Sequence, residues 1–137
     1  MRGGRKDSKL EALRTVPLFA GLSRSQLAAV GRIADELDLP AGKTLITEGA
    51  SGRQFFVLLD GQADVRRGRR RINTLAAGDF FGEISLVSKR PATATVTTTA
   101  PARVAVITAR NFLQLLRTSP EIQLKGLQAL AERVPFA

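Results

Sequence analysis

The sequence has no cysteine, no histidine, no tryptophan and no tyrosine. Without cysteine there is no disulfide framework and no thiolate zinc site. Without histidine the commonest general base and the commonest metal ligand are missing, and Ser–His or Cys–His nucleophile pairs are impossible. A phosphate-loop lysine motif and a credible acid/base pair are also missing, so the expectation is a protein that is not an enzyme and holds no metal. No apolar run approaches the roughly 18 residues of a membrane span. The opening residues, MRGGRKDSK, are basic but lead into no hydrophobic signal segment. The lack of cysteine suits a reducing, cytoplasmic setting.

What remains is enough for one ordinary domain. The 137 residues are 44% apolar and 24% charged, a globular rather than a disordered composition. A chain of this length buries roughly two thirds of its unfolded surface and needs no covalent staples. The expected division is a flexible basic start over residues 1–9 and one domain over residues 10–137. With 21 basic and 12 acidic residues the net charge is +9, which favours anionic partners: nucleic acid, anionic lipid or a phosphate ligand.

Period separates three stretches. Residues 8–37 read as helical, with Leu10, Leu13 and Val16 on one face before Pro17 breaks it. Ser23 with Gln26 three residues on is a capping box, and Leu27, Val30, Ala34 and Leu37 form the stripe of the helix that follows. From residue 38 to 108 glycines recur between short β-type runs at 44–47, 54–59, 62–66, 71–75, 93–98 and 103–108, the pattern of a sandwich, roll or barrel. Residues 109–135 return to helical spacing. Phe112, Leu115 and Leu116 lie on one face; Ser119 and Pro120 open a second helix carrying Leu124, Leu127, Leu130, Ala131 and Val134.

The segment that carries most chemistry is GDFFGEISLVSKRPATATV, residues 78–96. Gly78-Asp79 is a turn signal, and Phe80 and Phe81 are large apolar anchors better suited to a core than to a base. Gly82 permits a tight turn and close backbone approach. Glu83-Ile84-Ser85-Leu86-Val87 can form one turn of helix whose first N–H groups have no internal partners and so present an anion site. Lys89-Arg90 adds positive charge, Pro91 fixes a turn, and 93–96 resumes a strand.

FGEISLVSKRPATATV resembles the phosphate-binding cassette of cyclic nucleotide-binding domains, the type found in cAMP receptor proteins and protein kinase A regulatory subunits. VPLFAGLS, PAGKTLITEGASGRQFFVLLDGQADV, LAAGDFFGE and VAVITARNFLQLL also resemble that family in order and spacing, so the resemblance spans about residues 15–134. It implies an α+β fold: an antiparallel, jelly-roll-like β-roll of about eight strands, with N-terminal helices, a short cassette helix and two C-terminal helices. It implies a ligand, cAMP or cGMP, and no other cofactor. Glu83 matches the carboxylate that accepts the ribose 2′-hydroxyl, and the amides around Gly82, Ile84 and Ser85 match those that hold the cyclic phosphate. Val65, Ile72 and Leu75 match the apolar lining of the sugar and base pocket. Thr93 matches a position that meets phosphate or base. The resemblance also implies a C-terminal helix that moves on binding and an effector protein or fused effector domain that reads the movement. No helix-turn-helix for DNA follows the last helix within this chain.

One position departs from the pattern. The family motif carries an arginine directly after the cassette proline, aimed at the phosphate; here it is Ala92. Loss of such a charge-assisted grip removes about 1.5–3 kcal/mol. Arg90, two residues earlier, either reaches back to the phosphate or is a solvated loop arginine. Two functions therefore stand side by side: a cyclic nucleotide sensor, and a degenerate relative with weak or no nucleotide binding that serves as a protein-interaction module. Arg66, Arg67, Arg69, Arg70 and Arg71 around Gly68 read as a hairpin tip, either a solubilising turn or an anion patch.

Overall fold

The computed structural model describes residues 4–16, 19–51, 54–82 and 91–124. Within them the order is α1 (Gly4–Arg14), α2 (Arg24–Ile33), eight strands, and a helix, α3 (Ala109–Thr118), with helical residues again at 120–124. The strands are β1 (Asp35–Leu39), β2 (Thr44–Ile46), β3 (Gln54–Asp60), β4 (Gln62–Arg67), β5 (Arg70–Ala76), β6 (Phe80–Phe81), β7 (Thr95–Thr98) and β8 (Ala102–Thr108). They form two four-stranded sheets, ordered β1-β8-β3-β6 and β2-β7-β4-β5, and every pairing is antiparallel. This is the β-roll expected from the sequence.

Helix α2 forms where its cap says it should. The Ser23 hydroxyl accepts from the Gln26 amide at 3.1 Å, and the Gln26 side chain accepts from the Ser23 amide at 2.8 Å. Two donors at the helix start are thereby satisfied. Its buried residues Leu27 and Val30 face the first sheet together with Leu13, Val16 and Phe19. Thr108 caps α3, accepting from the Asn111 amide at 3.2 Å, and turns the chain directly from β8 into the helix.

Strand β3 explains how one sheet serves two interiors. Phe55 to Leu58 are all buried, and successive side chains point to opposite faces. Phe55 and Val57 join the helices; Phe56 and Leu58 point into the roll. Strand β8 does the same, sending Ala105 and Ile107 to the helices and Val104 and Val106 inward.

The structure corrects three expectations. The helical stripe through Leu37 stops early: α2 ends at Ile33, and Asp35–Leu39 is a strand that pairs with β8 from Asp35↔Val106 to Leu39↔Ala102. Leu37 is 45% exposed rather than buried on a helix. The cause is tertiary: β8 offers an edge whose amides need partners, and DELDL has no strong helical preference to resist. The strand expected at 93–98 begins at Thr95 and lies between β2 and β4 in the second sheet. In the last helical stretch Ile122 is the core residue, whereas Leu124 is 59% exposed. Leu127, Leu130, Ala131 and Val134 lie outside the described residues.

Candidate ligand site

The turn that precedes the site is built from Gly78 and Asp79. The Asp79 carboxylate accepts from the Ala76 amide at 2.8 Å, and the chain is tied to β3 by Gly78 N–H to Leu58 O and Leu58 N–H to Asp79 O, both 2.8 Å. This delivers Phe80 and Phe81 to the edge of the first sheet, where they pair with Val57 and Phe56. Phe81 stacks on Phe56 at 5.0 Å and Phe80 lies 5.6 Å from Phe55. Both phenylalanines are buried, so they are core anchors, as the sequence indicates.

Gly82 ends β6 with φ +94°, and a Cβ there would stand 2.6 Å from the Gln54 carbonyl oxygen. A left-handed backbone and a blocked Cβ position together require glycine. The same Cβ would lie 3.4 Å from Ile46, and Ile46 pairs with Val96 on β7. Gly82 and the strand that follows the cassette therefore border the same residue.

The other end of the segment is fastened to the loop between β2 and β3. Pro91 forms a bridge with Ser51, the Ala92 amide donates to Ala50 O at 2.8 Å, and the Gly49 amide donates to Ala92 O at 2.8 Å. Ala92, Ala94, Val96 and Thr98 are buried in alternation, Ala94 and Val96 within the roll cluster. The Ala92 side chain is a methyl group and supplies no charge here. Thr93 is exposed, and it is the Thr93 carbonyl that makes a contact, accepting from Arg67 Nε at 3.1 Å.

Val65, Ile72 and Leu75, the expected apolar lining, do come together. Val65 and Leu75 are buried and Ile72 half-buried in one cluster with Phe81, Ala94, Val96 and Ile46. Of the expected site residues, Val65, Ile72 and Leu75 thus share the roll cluster, Gly82 borders its member Ile46, and Ala92 and Thr93 lie between the 49–51 loop and Arg67. Glu83, Ile84, Ser85 and Arg90 lie outside the described residues.

Two residues near this end were not singled out from the sequence. Arg67 was read only as one member of a charged cluster, and Glu48 not at all. Glu48 accepts from the Gly68 amide at 2.8 Å through its carboxylate and donates its own amide to the Thr95 hydroxyl at 2.9 Å. It clips the β4–β5 hairpin tip to β7. The signal for Arg67 was its place two residues after Val65 in an alternating strand.

Comparison with known proteins agrees with this fold. The chain is 36% identical over 116 residues to a cAMP-dependent protein kinase regulatory subunit of Mycosarcoma maydis, covering 76% of this chain and 22% of that protein. It is 28% identical over 129 residues to a CRP-like cAMP-activated global transcriptional regulator of Mycobacterium tuberculosis, covering 90% of this chain and 58% of the regulator. The chain therefore spans between about a fifth and three fifths of these relatives, which are regulators rather than enzymes. The regulatory domain of Toxoplasma gondii PKA with cAMP superposes with a TM-score of 0.81 at 20% identity, over 93% of this chain and 50% of that one, and supports the fold. With residues 36–119 matching the model of the cyclic nucleotide-binding domain, the chain belongs to the cyclic nucleotide-binding domain family.

Proposed function

We propose that this domain binds cAMP beside Gly82 and Ala92 and passes the binding event to its C-terminal helices. The observation that carries the reading is that the residues flanking 83–90 are fixed on either side. Gly82 is fixed by its left-handed backbone against Gln54, and Pro91-Ala92 is fastened to residues 49–51. In this reading Glu83 accepts the ribose hydroxyl, the amides of Gly82, Ile84 and Ser85 receive the phosphate, Arg90 adds positive charge, and Val65, Ile72 and Leu75 line the base and sugar pocket. Binding energy held by a carboxylate and a set of amides suits a reversible signal.

A mechanical link to the C-terminal side is supported by the aromatic stack. Phe112 of α3 lies 4.4 Å from Phe55 of β3, and β3 pairs with β6, which leads into Gly82. A ligand shifts the helices only if it binds two arrangements of them with different affinity. The domain assignment over residues 10–137, and an effector protein or fused effector domain as reader, belong to the same proposal.

Calorimetric titration with cAMP and cGMP tests it. Saturable binding in the micromolar range, weakened roughly tenfold or more by Glu83→Ala, is the expected result. Hydrogen exchange in 109–118 should change when ligand is added. The uncharged alanine at position 92 favours a second reading, a nucleotide-free interaction module. No heat and no thermal shift at millimolar cAMP would select that reading instead.

A further inference from the structure

Four of the five arginines around Gly68 differ from the fifth in where the structure puts them to use. Arg66 donates to Asp64 at 3.4 Å and to the Arg69 carbonyl at 3.2 Å, and Arg71 lies 3.9 Å from Asp64. These contacts stay within the hairpin, and Arg69 and Arg70 occupy its exposed end. Arg67 reaches out of the hairpin to the Thr93 carbonyl, 26 residues away.

Register explains the difference. Strand β4 pairs with β7 without a break from Ala63↔Thr98 to Arg66↔Thr95; the irregularity after Val65 lies on the β5 side. The ladder stops there, and Arg67, two residues after the buried Val65, is exposed just outside the apolar interior that holds Ala63, Val65 and Ala94. Its backbone is fixed: Gly68 takes φ +63° for the tight turn, and the Gly68 amide is held by Glu48. A guanidinium held at the Thr93 carbonyl, next to the small buried side chain of Ala92, is placed to meet an anion at this end of the cassette segment.

We propose that Arg67 supplies the cationic grip on the cyclic phosphate of the bound nucleotide, with Glu48 as the residue that positions its hairpin. The proposal rests on the nucleotide-binding reading above and names the phosphate contact of that same site. A planar guanidinium gives a phosphate a charge-assisted, two-pronged hydrogen bond.

The test is titration of the full chain with cAMP. Arg67→Ala should weaken binding roughly ten- to hundredfold. Arg67→Gln, polar but shorter and uncharged, should weaken it to a similar degree and serves if the alanine variant fails to fold. Arg69→Ala, at the outer end of the same hairpin, should stay within about threefold of the parent, because an exposed charge at a distance is screened. Adding Ala92→Arg to Arg67→Ala should restore most of the loss. Raising the salt concentration should weaken the parent more than Arg67→Gln, a difference that a purely structural role would not produce. Parent binding with Arg67→Gln unchanged overturns this proposal and leaves the nucleotide reading standing, as does an equal loss in Arg67→Gln and Arg69→Ala. A parent protein that binds no cAMP overturns both.

Discussion

The two interiors of this molecule are packed with different materials. On the helix side, Phe19, Phe55, Phe80 and Phe112 are buried, with Phe55 stacked against Phe112 at 4.4 Å. Inside the roll, beyond the Phe56–Phe81 pair, the residues are mainly valine, leucine and alanine: Ala63, Val65, Leu75, Ala94, Val96, Ala102, Val104 and Val106. Large rings weld helices to a sheet through extensive contact and defined stacking geometry. Small side chains inside the roll let the two sheets pack closely. One core holds the helices in register with the roll; the other shapes the space beside the candidate site.

Substitutions at matched places can break that comparison. The largest effect is expected from Phe55→Ala, which removes a ring touching both Phe80 and Phe112 and should cost about 3–5 kcal/mol in urea unfolding. Because β3 and α3 both lose their contact, any ligand-induced change in α3 should fade along with stability. Ala94→Leu on the roll side overfills a close-packed position and should cost about 1–3 kcal/mol. Unlike the first change, it should weaken cAMP binding beyond the loss explained by unfolding, since the leucine would crowd the neighbourhood of Ala92 and Arg67. Equal effects of the two variants on binding would mean that the division of labour between the cores is wrong. The smallest effect is expected from Ser23→Ala, which removes the α2 cap and should cost about 1 kcal/mol while leaving nucleotide affinity unchanged.

The exposed ion pair between Arg103 and Asp38, 2.9 Å apart across β8 and β1, belongs to neither core. The hydrogen bond and charge of Asp38, with Glu36 and Asp60 nearby, hold the Arg103 pKa above its ordinary value. A fully solvated pair of this kind contributes little to stability. Its use is to fasten the outermost strand of the first sheet, where unpaired backbone groups would otherwise invite pairing with another chain.

Much of this arrangement was legible from residues close together in the chain. The capping box at Ser23 and Gln26, the hairpin at Gly68, the turn at Gly78-Asp79 and the core role of Phe80 and Phe81 all follow from spacing of a few positions. Strand β1 was not legible in the same way. Val30, Ala34 and Leu37 keep helical spacing, yet the chain leaves the helix at Ile33 because β8, some seventy residues later, provides a pairing edge. Thr98 is a similar case: as one of a run of threonines it looks like surface strand, but it is buried and bonded to the Pro40 carbonyl at 2.7 Å and the Lys43 amide at 2.8 Å.

The period changes that separate helices from roll, the glycines that place its turns, and the order of motifs that marks the family are all written locally in the chain. They depend on backbone freedom and on which side chains recur at two- or three-to-four-residue intervals. That Asp35–Leu39 is a strand, that Ala92 is buried and that Arg67 meets Thr93 came instead from contacts between distant segments. Those outcomes depend on pairing between strands far apart in the chain, and a register step of one residue would have turned each of these side chains to the opposite face.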